Sequence, residues 1–229
     1  MAKTIVVVGY GPGVSHAVAE RFGVEGFSVA LVARTEDRLA AGVAALKANR
    51  VTAAAFAADA GDAAAMRTAI QRARAEFGPV TVIHWNAYGG GEAGDLLAVD
   101  PAAAAHVFDV AIVGLLAAVQ EALPDLKSVK DGAVLVTNGA FGDDSPQIDQ
   151  LAVNLKNMGL ALGNAAKRKL VGLLAAQLKA HGVYVGEVTI AGAVKGTAWA
   201  QDQGIEGARI AAKFWELYQA RTETRARVS

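Results

Sequence analysis

An α/β fold, a doubly wound parallel sheet of six to seven strands with helices on both faces, is predicted by three features of the 229-residue chain. Short β-branched runs alternate with longer Ala- and Leu-rich segments of helical period. The strand segments are apolar throughout, as strands covered on both faces must be. A glycine cluster falls between the first strand and the first helix, where such folds bind ligands.

Taken in order, residues 4–8 (TIVVV) read as the first strand and Val14–Gly26 as a helix. Phe27–Ala33 is the second strand and Thr35–Asn49 a helix; Val51–Ala57 is the third strand and Asp62–Phe77 a helix. Val80–Trp85 is the fourth strand, followed by a helix over about 101–123 with Pro101 in its first turn. Val134–Thr137 is the fifth strand, about 149–181 is mostly helix, and Val183–Ile190 is the sixth strand. A last helix covers about 206–221, and the polar stretch Arg221–Ser229 makes a poor strand, so six strands or a short irregular edge are expected. With no internal repeat and no linker, one domain over 1–229 accounts for the chain, its polar tail at about 221–229 frayed or docked in an oligomer.

Hydrophobic residues make up 53% and aromatics 6%, so the core is built from Ala, Val and Leu, which let helices approach the sheet closely. Twenty-two basic residues balance 22 acidic ones, which gives no reason to expect nucleic acid or a membrane as partner. The absence of cysteine excludes disulfides, thiolate metal sites and thiol catalysis, and no metal site is predicted. The apolar run at residues 4–8 is too short for a signal segment, and no stretch approaches the roughly 18 apolar residues of a membrane span free of charges and breakers. A soluble, cytoplasmic protein is the expectation.

The turn Gly9-Tyr10-Gly11-Pro12-Gly13-Val14-Ser15 sits after a strand and before a helix. Its glycines permit a tight turn and close approach to a pyrophosphate, and the helix start supplies free N–H groups and a positive dipole. Ser15 either adds a hydroxyl donor to phosphate or is a polar residue of the first helical turn. At the end of the second strand an acid would hold a ribose 2′-hydroxyl, and a basic residue a 2′-phosphate. The chain has Arg34 and Thr35 there, so NADP(H) is favoured over NAD(H); the alternative is a solvated arginine at a helix start.

This order of segments resembles the short-chain dehydrogenase/reductase family over nearly the whole chain, a Rossmann fold. Gly9-x3-Gly13-x-Ser15 is similar to the family's TGxxxGxG turn, with Ser for the third Gly. The resemblance implies that Asp59, followed by Ala60, contacts the adenine, unless Asp59 serves as a helix cap. Asn86-Ala87-Tyr88-Gly89 resembles the NNAG motif, with Tyr88 where the motif has Gly, so the backbone of Asn86 and Ala87 would line the ribose. Lys167 resembles the active-site lysine that holds the nicotinamide ribose, the alternative being one base among several on an amphipathic helix. Ala191-Gly192 resembles the family's Pro-Gly, and Thr197 its carboxamide-binding Thr, one residue late.

The family's tyrosine, the acid/base of YxxxK, is replaced: Gly163 stands four residues before Lys167, and no tyrosine occurs between Tyr88 and Tyr184. The family's serine aligns with Gly139 and its relay asparagine with Ala111. Tyr88 and Asn138 are candidate substitutes near the expected crevice. His84 reads as a core histidine, His106 as a surface or interface residue, and Asp143 and Asp144 as a solvated loop. Tyr10 stacks on a ligand or simply packs. The segment around Ser145–Met158 is longer than the family's counterpart and shapes a pocket or an interface.

The expected function is that of an NADP(H)-binding, reductase-type oxidoreductase of unassigned small-molecule substrate, with a non-standard or degraded proton-donating site. The alternative is a non-catalytic nucleotide-binding protein, a cofactor sensor or the inactive partner of an active homologue. A purely structural role is argued against by the intact turn, Arg34, Asp59 and Lys167. Broad apolar faces on the helices at 101–123 and 149–181 imply a homodimer or homotetramer.

Overall fold

The computed structural model describes residues 3–197, 200 and 203–229, apart from the side chain of Glu92. Seven strands form one sheet in the order β3-β2-β1-β4-β5-β6-β7. They are β1 (Lys3–Val8), β2 (Phe27–Ala33), β3 (Ala53–Ala57), β4 (Val80–Trp85), β5 (Ala133–Gly139), β6 (Tyr184–Ile190) and β7 (Arg225–Val228). Every pairing is parallel. Strand order reverses between β1 and β4, so a crevice opens at their carboxyl ends, where Gly9 and Asn86 begin their loops.

Strand side chains alternate between two cores. Val6, Val8, Ala30 and Val32 face one layer, made by α3 (Ala63–Phe77), α5 (Gly114–Ser128) and α7 (Met158–Leu178). Ile5, Val7, Val29 and Leu31 face the other, made by α1 (Val14–Val24), α2 (Glu36–Ala48) and α8 (Gly207–Ala220). His84 lies in this second core, fully buried, its Nε2 3.0 Å from the Thr137 hydroxyl and its ring edge-on to Phe214. It is a core histidine, as the sequence implies.

Three elements differ from expectation. The tail contains a real edge strand: β7 runs parallel to β6, with Ala226 and Val228 packed on the α8 core. Its arginines are stabilised in turn. Arg227 pairs with Asp143 at 2.6 Å, and the Arg225 guanidinium donates to the Arg168 carbonyl at 3.1 Å.

The helical stretch after β4 runs unbroken from Pro101 to Ser128, through Pro124. It comprises α4 (Pro101–Phe108), a π-turn at Asp109–Val113, and α5. Asp125 tethers the turn beyond Pro124, accepting from Arg74 at 2.7 Å and from the Val80 amide at 3.2 Å. This stretch is long and apolar enough to cross a membrane, by length and composition only, although Asp109 and Pro124 interrupt its apolar run as the expectation requires; Leu115, Ala118 and Leu126 bury its face against the sheet.

The segment read as mostly helix over 149–181 is two helices. α6 (Pro146–Asn154) is capped by the Ser145 hydroxyl, and the chain turns through Lys156 at φ 52° before α7 begins.

Candidate functional site

The turn after β1 is built as its glycines require. Gly9 has φ +80°, and a Cβ there would lie 2.4 Å from the Ala87 amide nitrogen, so only glycine lets this turn close on the β4 loop. Gly13, at φ +90°, opens α1, which has no side-chain cap and no acid in its first turn. Its first N–H groups and its dipole are therefore open to an anion. Val14 is the first helical residue.

Ser15 is not a free phosphate donor. It is fully buried, accepts from the Gly11 N–H at 2.8 Å and donates to the Gly11 carbonyl at 3.0 Å. It staples the turn and takes one amide out of play. Tyr10 packs rather than projecting freely: its hydroxyl is 2.9 Å from His16 Nδ1, and a Cβ at Gly42 would meet its ring at 2.4 Å.

A cleft of about 400 Å³ opens over this turn. Gly9 and Tyr10 floor it, Arg34, Thr35 and Arg38 wall one end, and Asp59, Ala60, Asn86 and Ala87 wall the middle. Tyr88 through Gly91, Ala93, His106, Val107 and Val110 close the far side. Asp59 accepts from the Gly61 N–H at 2.9 Å, and the α3 cap is Asp62, not Asp59. Asn86 bonds from its amide to the Val8 carbonyl and from its side chain to the Gly9 carbonyl, tying β4 to the turn. Tyr88 lines the cleft and is 63% exposed. His106, expected at a surface or interface, stands at the cleft rim, beside Asp109 at 3.3 Å and over Gly61.

The other candidates do not line this cleft. Asn138 is buried and engaged: its amide donates to the Asn164 carbonyl at 3.0 Å, and its oxygen accepts from the Gly139 N–H. Lys167 is 3% exposed; burial pushes its ammonium down to about 8, with Glu187 pulling the other way. Gly192 is exposed in the turn after β6, and Thr197 lies over the glycine turn, 3.2 Å from where a Cβ on Gly13 would stand. The Thr197 hydroxyl donates to the Val194 carbonyl.

Where the family resemblance places a tyrosine, even the first side-chain atom would be tightly met. A Cβ on Gly163 would lie 3.0 Å from Val107 Cγ1 and 3.7 Å from Ala111 Cβ. Nearby, a Cβ on Gly90 would lie 2.7 Å from the Leu160 amide, one on Gly159 2.8 Å from the Gly90 carbonyl, and one on Gly94 2.6 Å from the Lys156 carbonyl. The β4 loop thus packs backbone to backbone on the start of α7. Ala111 sits in the π-turn, so the helix deformation stands at the position aligned with the relay asparagine although the asparagine is gone.

Sequence reading missed two groups. Arg38 was passed over because it falls in no motif, and His106 was read as a surface or interface residue rather than as part of the cleft rim. It also missed a buried charge cluster between α7 and the sheet edge: Glu187, fully buried, lies 3.6 Å from Arg168 Nε, and Arg168 reaches Asp143 at 2.7 Å. Desolvation raises the Asp143 carboxyl, but Arg227 and Arg168 together hold it below its ordinary value.

The sequence profile of the family described as short chain dehydrogenase matches residues 3–150. No curated protein matches the chain. Among solved structures, a metagenomic short-chain oxidoreductase in complex with NADP superposes with a TM-score of 0.82 at 22% identity, over 99% of this chain and 96% of its own. An NADPH-bound short chain oxidoreductase from Pseudomonas aeruginosa PAO1, containing an atypical catalytic center, gives 0.84 at 21%, over 99% and 95%. A 3-ketoacyl-ACP reductase from Sinorhizobium meliloti 1021 gives 0.84 at 19%, over 98% and 96%. At such identities these likenesses speak to the fold.

Proposed function

Because the chain belongs to the short-chain dehydrogenase family, we propose that it is an oxidoreductase that binds a nicotinamide adenine dinucleotide, the 2′-phosphorylated form in preference, and that its proton-donating site departs from the family pattern. The observation that carries this reading is a cleft lined by Gly9, Arg34, Arg38 and Asp59, opening beside a glycine turn whose helix, α1, has an uncapped N-terminus. The NADP and NADPH held by two of the similar structures agree with it.

The residues fit the dinucleotide. Gly9 and Gly13 make room for a pyrophosphate against the α1 N–H groups, and Ala60, Asn86 and Ala87 offer small side chains and backbone to an adenosine. A bound nicotinamide supplies or accepts the hydride. This chain's own contribution beyond binding is spare. Lys167, which the family resemblance assigns to the ribose hydroxyls, is buried on α7 outside the cleft's lining and would have to turn toward the ligand to hold it, and Tyr88 would cover the bound group and exclude water. Gly139 and Gly163 leave no hydroxyl for a substrate carbonyl, so the supported reaction classes are those that ask least of a protein acid, reduction of an imine or of an activated C=C protonated by water.

A second reading, a cofactor-binding protein without turnover, is favoured by the close packing of Gly163 against Val107, where a side chain bearing an acid would have to displace its neighbour. Titration with NADPH and with NADH, followed by cofactor fluorescence or calorimetry, tests the shared part; failure of both to bind ends both readings. With NADPH bound, oxidation of the cofactor by a panel of carbonyl, enoyl and imine compounds separates them. Turnover with any supports the enzyme, and none supports the silent binder.

A further inference from the structure

One buried amide has no part in the cleft already described. Asn164 stands on the face of α7 that packs on the sheet and is 4% exposed. Two glycines make its room. A Cβ on Gly139, at the carboxyl end of β5, would lie 2.6 Å from Asn164 Nδ2, and one on Gly142 would lie 2.8 Å from Asn164 Cβ. The backbone at this point is fixed, because the Asn138 side chain donates to the Asn164 carbonyl at 3.0 Å. The Asn164 side chain is not spent in the same way. Among the described residues its carboxamide has no hydrogen-bond partner, the bond from Asn138 being to the backbone. Buried polar side chains are ordinarily paired, so an idle one at this place calls for a ligand. Glu187 Oε2 and Arg168 Nε, which also lack partners, are sealed from solvent, whereas the Asn164 carboxamide is not. Its position suits a ligand too. In such sheets the crevice lies at the carboxyl ends of the strands. A Cβ on the neighbouring Gly163 would lie 3.0 Å from Val107 Cγ1 and 4.0 Å from the Gly89 carbonyl, and Val107 and Gly89 both belong to the cleft wall. Asn164 therefore stands beside that wall on the β5 side, with Lys167 three residues on along the same buried face.

We propose that Asn164 Nδ2 donates the hydrogen bond that holds the reacting end of the substrate, a carbonyl oxygen conjugated to the C=C that is reduced. The inference rests on the oxidoreductase reading and adds to it a catalytic residue and a substrate class. The chemistry of a carboxamide selects that class. It offers two N–H donors but, unlike a phenol or an imidazolium, it does not give a proton away. It can stabilise an oxygen that gains negative charge and cannot neutralise it. A ketone reduced at its own carbonyl needs a proton at that oxygen, and an imine needs one at its nitrogen. In an enone the two needs fall on different atoms. The β-carbon takes hydride from a dihydronicotinamide, the C=C pair moves in between the α-carbon and the carbonyl carbon, and the carbonyl π pair goes to the oxygen held by Asn164. The α-carbon then takes a proton from water, the carbonyl re-forms, and the water is left as hydroxide. One hydride and one proton are added across the C=C, and the dihydronicotinamide is oxidised to nicotinamide.

The test uses the full chain and two probes. One is a panel of cyclic and acyclic enones with NADPH. The other is para-nitrophenol added to the NADP+-loaded protein, since a phenolate oxygen resembles an enolate oxygen and its ionisation is read by absorbance. Wild type should take up the phenolate in preference to the phenol. Asn164→Ala should weaken phenolate binding by about ten- to about a hundredfold, the range of a hydrogen bond to a charged group, and leave NADPH within about twofold. It should slow enone reduction by about a hundred- to about a thousandfold, as the loss of an oxyanion donor does. Gly139→Ser alone should also weaken the phenolate, because its Cβ must push the carboxamide aside. Joined to Asn164→Ala, the same serine should restore most of the binding, because a hydroxyl then stands where the amide stood. An asparagine that only packs would not be rescued in this way. Unchanged phenolate binding in Asn164→Ala refutes the proposal, and so does an equal loss of phenolate and NADPH. Reduction of imines but of no enone overturns the substrate class. If NADP+-loaded wild type does not take up the phenolate, the proposal falls while dinucleotide binding stands. If neither NADPH nor NADP+ binds, the reading beneath it has failed and takes this one with it.

Discussion

Putting tyrosine at position 163 recreates the family's YxxxK spacing in one step, and the structure says that it will not recreate the chemistry. Gly163 is buried on α7, and the first atom of any side chain there would stand 3.0 Å from Val107 Cγ1, a residue itself 2% exposed. Replacing a helical glycine gains about 1 kcal/mol of backbone entropy. Against this, forcing a side chain into a packed seam costs about 1–3 kcal/mol for a methylene or two. A phenol ring exceeds that volume several-fold, so Gly163→Tyr should lose at least about 2 kcal/mol, read as a lowered urea midpoint at unchanged slope. Gly163→Ala, with a single methyl to seat, should fall within about 1 kcal/mol of wild type. Neither should gain reduction of simple ketones. Combining Gly163→Tyr with Val107→Ala removes two methyl groups from the clash, at a cavity cost of about 2 kcal/mol when Val107→Ala is made alone. The two changes should therefore couple, the double variant being more stable than the sum of the singles predicts. A Gly163→Tyr protein as stable as wild type, and turning over ketones, would refute the packing argument.

Lys167 makes stability depend on pH in a definite direction. Its ammonium is pushed down to about 8 by burial, against 10.5 in the unfolded chain, so the unfolded state holds more protons between these values. The cost of burying the charge is fully present below about 8 and is relieved as pH rises toward 10.5; urea titrations of wild type and Lys167→Met should therefore converge with rising pH by up to about 3 kcal/mol. Asp143→Asn should release β7 from α7, because Asp143 bridges Arg168 and Arg227; we expect a loss of about 1–2 kcal/mol and faster amide exchange confined to 225–228. Phe108, Val113, Leu162 and Leu173 leave apolar side chains exposed on α4, the π-turn and α7. We propose that a second copy covers them, so light scattering should find a dimer or tetramer that Leu173→Glu reduces to smaller species.

The sheet was legible because its strands are apolar throughout and each helix carries its own period. β7 was not, because half of its residues are arginines. Read alone, Arg225 and Arg227 argue against a buried edge; their partners Glu187 and Asp143 lie 38 and 84 positions away in sequence, and no local pattern announces them. The unbroken helix through Pro124 has the same origin. Proline is a local stop signal, and the Arg74–Asp125 pair that keeps the next turn in place is a long-range contact.

The crevice divides along the same line. Its adenosine half rests on demands that backbone makes of residue type: Gly9 and Gly13 must have positive φ, and Arg34 follows directly on a strand end. Those demands can be read off a sequence. The other half is decided by which backbones touch, Gly90 on Leu160, Gly94 on Lys156 and Gly163 beside Val107, pairs separated by 56 to 70 positions. From the sequence, Gly163 is only a missing tyrosine, and a missing residue invites the idea that the space it left is empty. In the structure position 163 faces Val107 of α4 at close range, while the β4 loop, through its own glycines, lies flat on the start of α7. A side chain at 90, 94 or 159 would hold the loop off the helix.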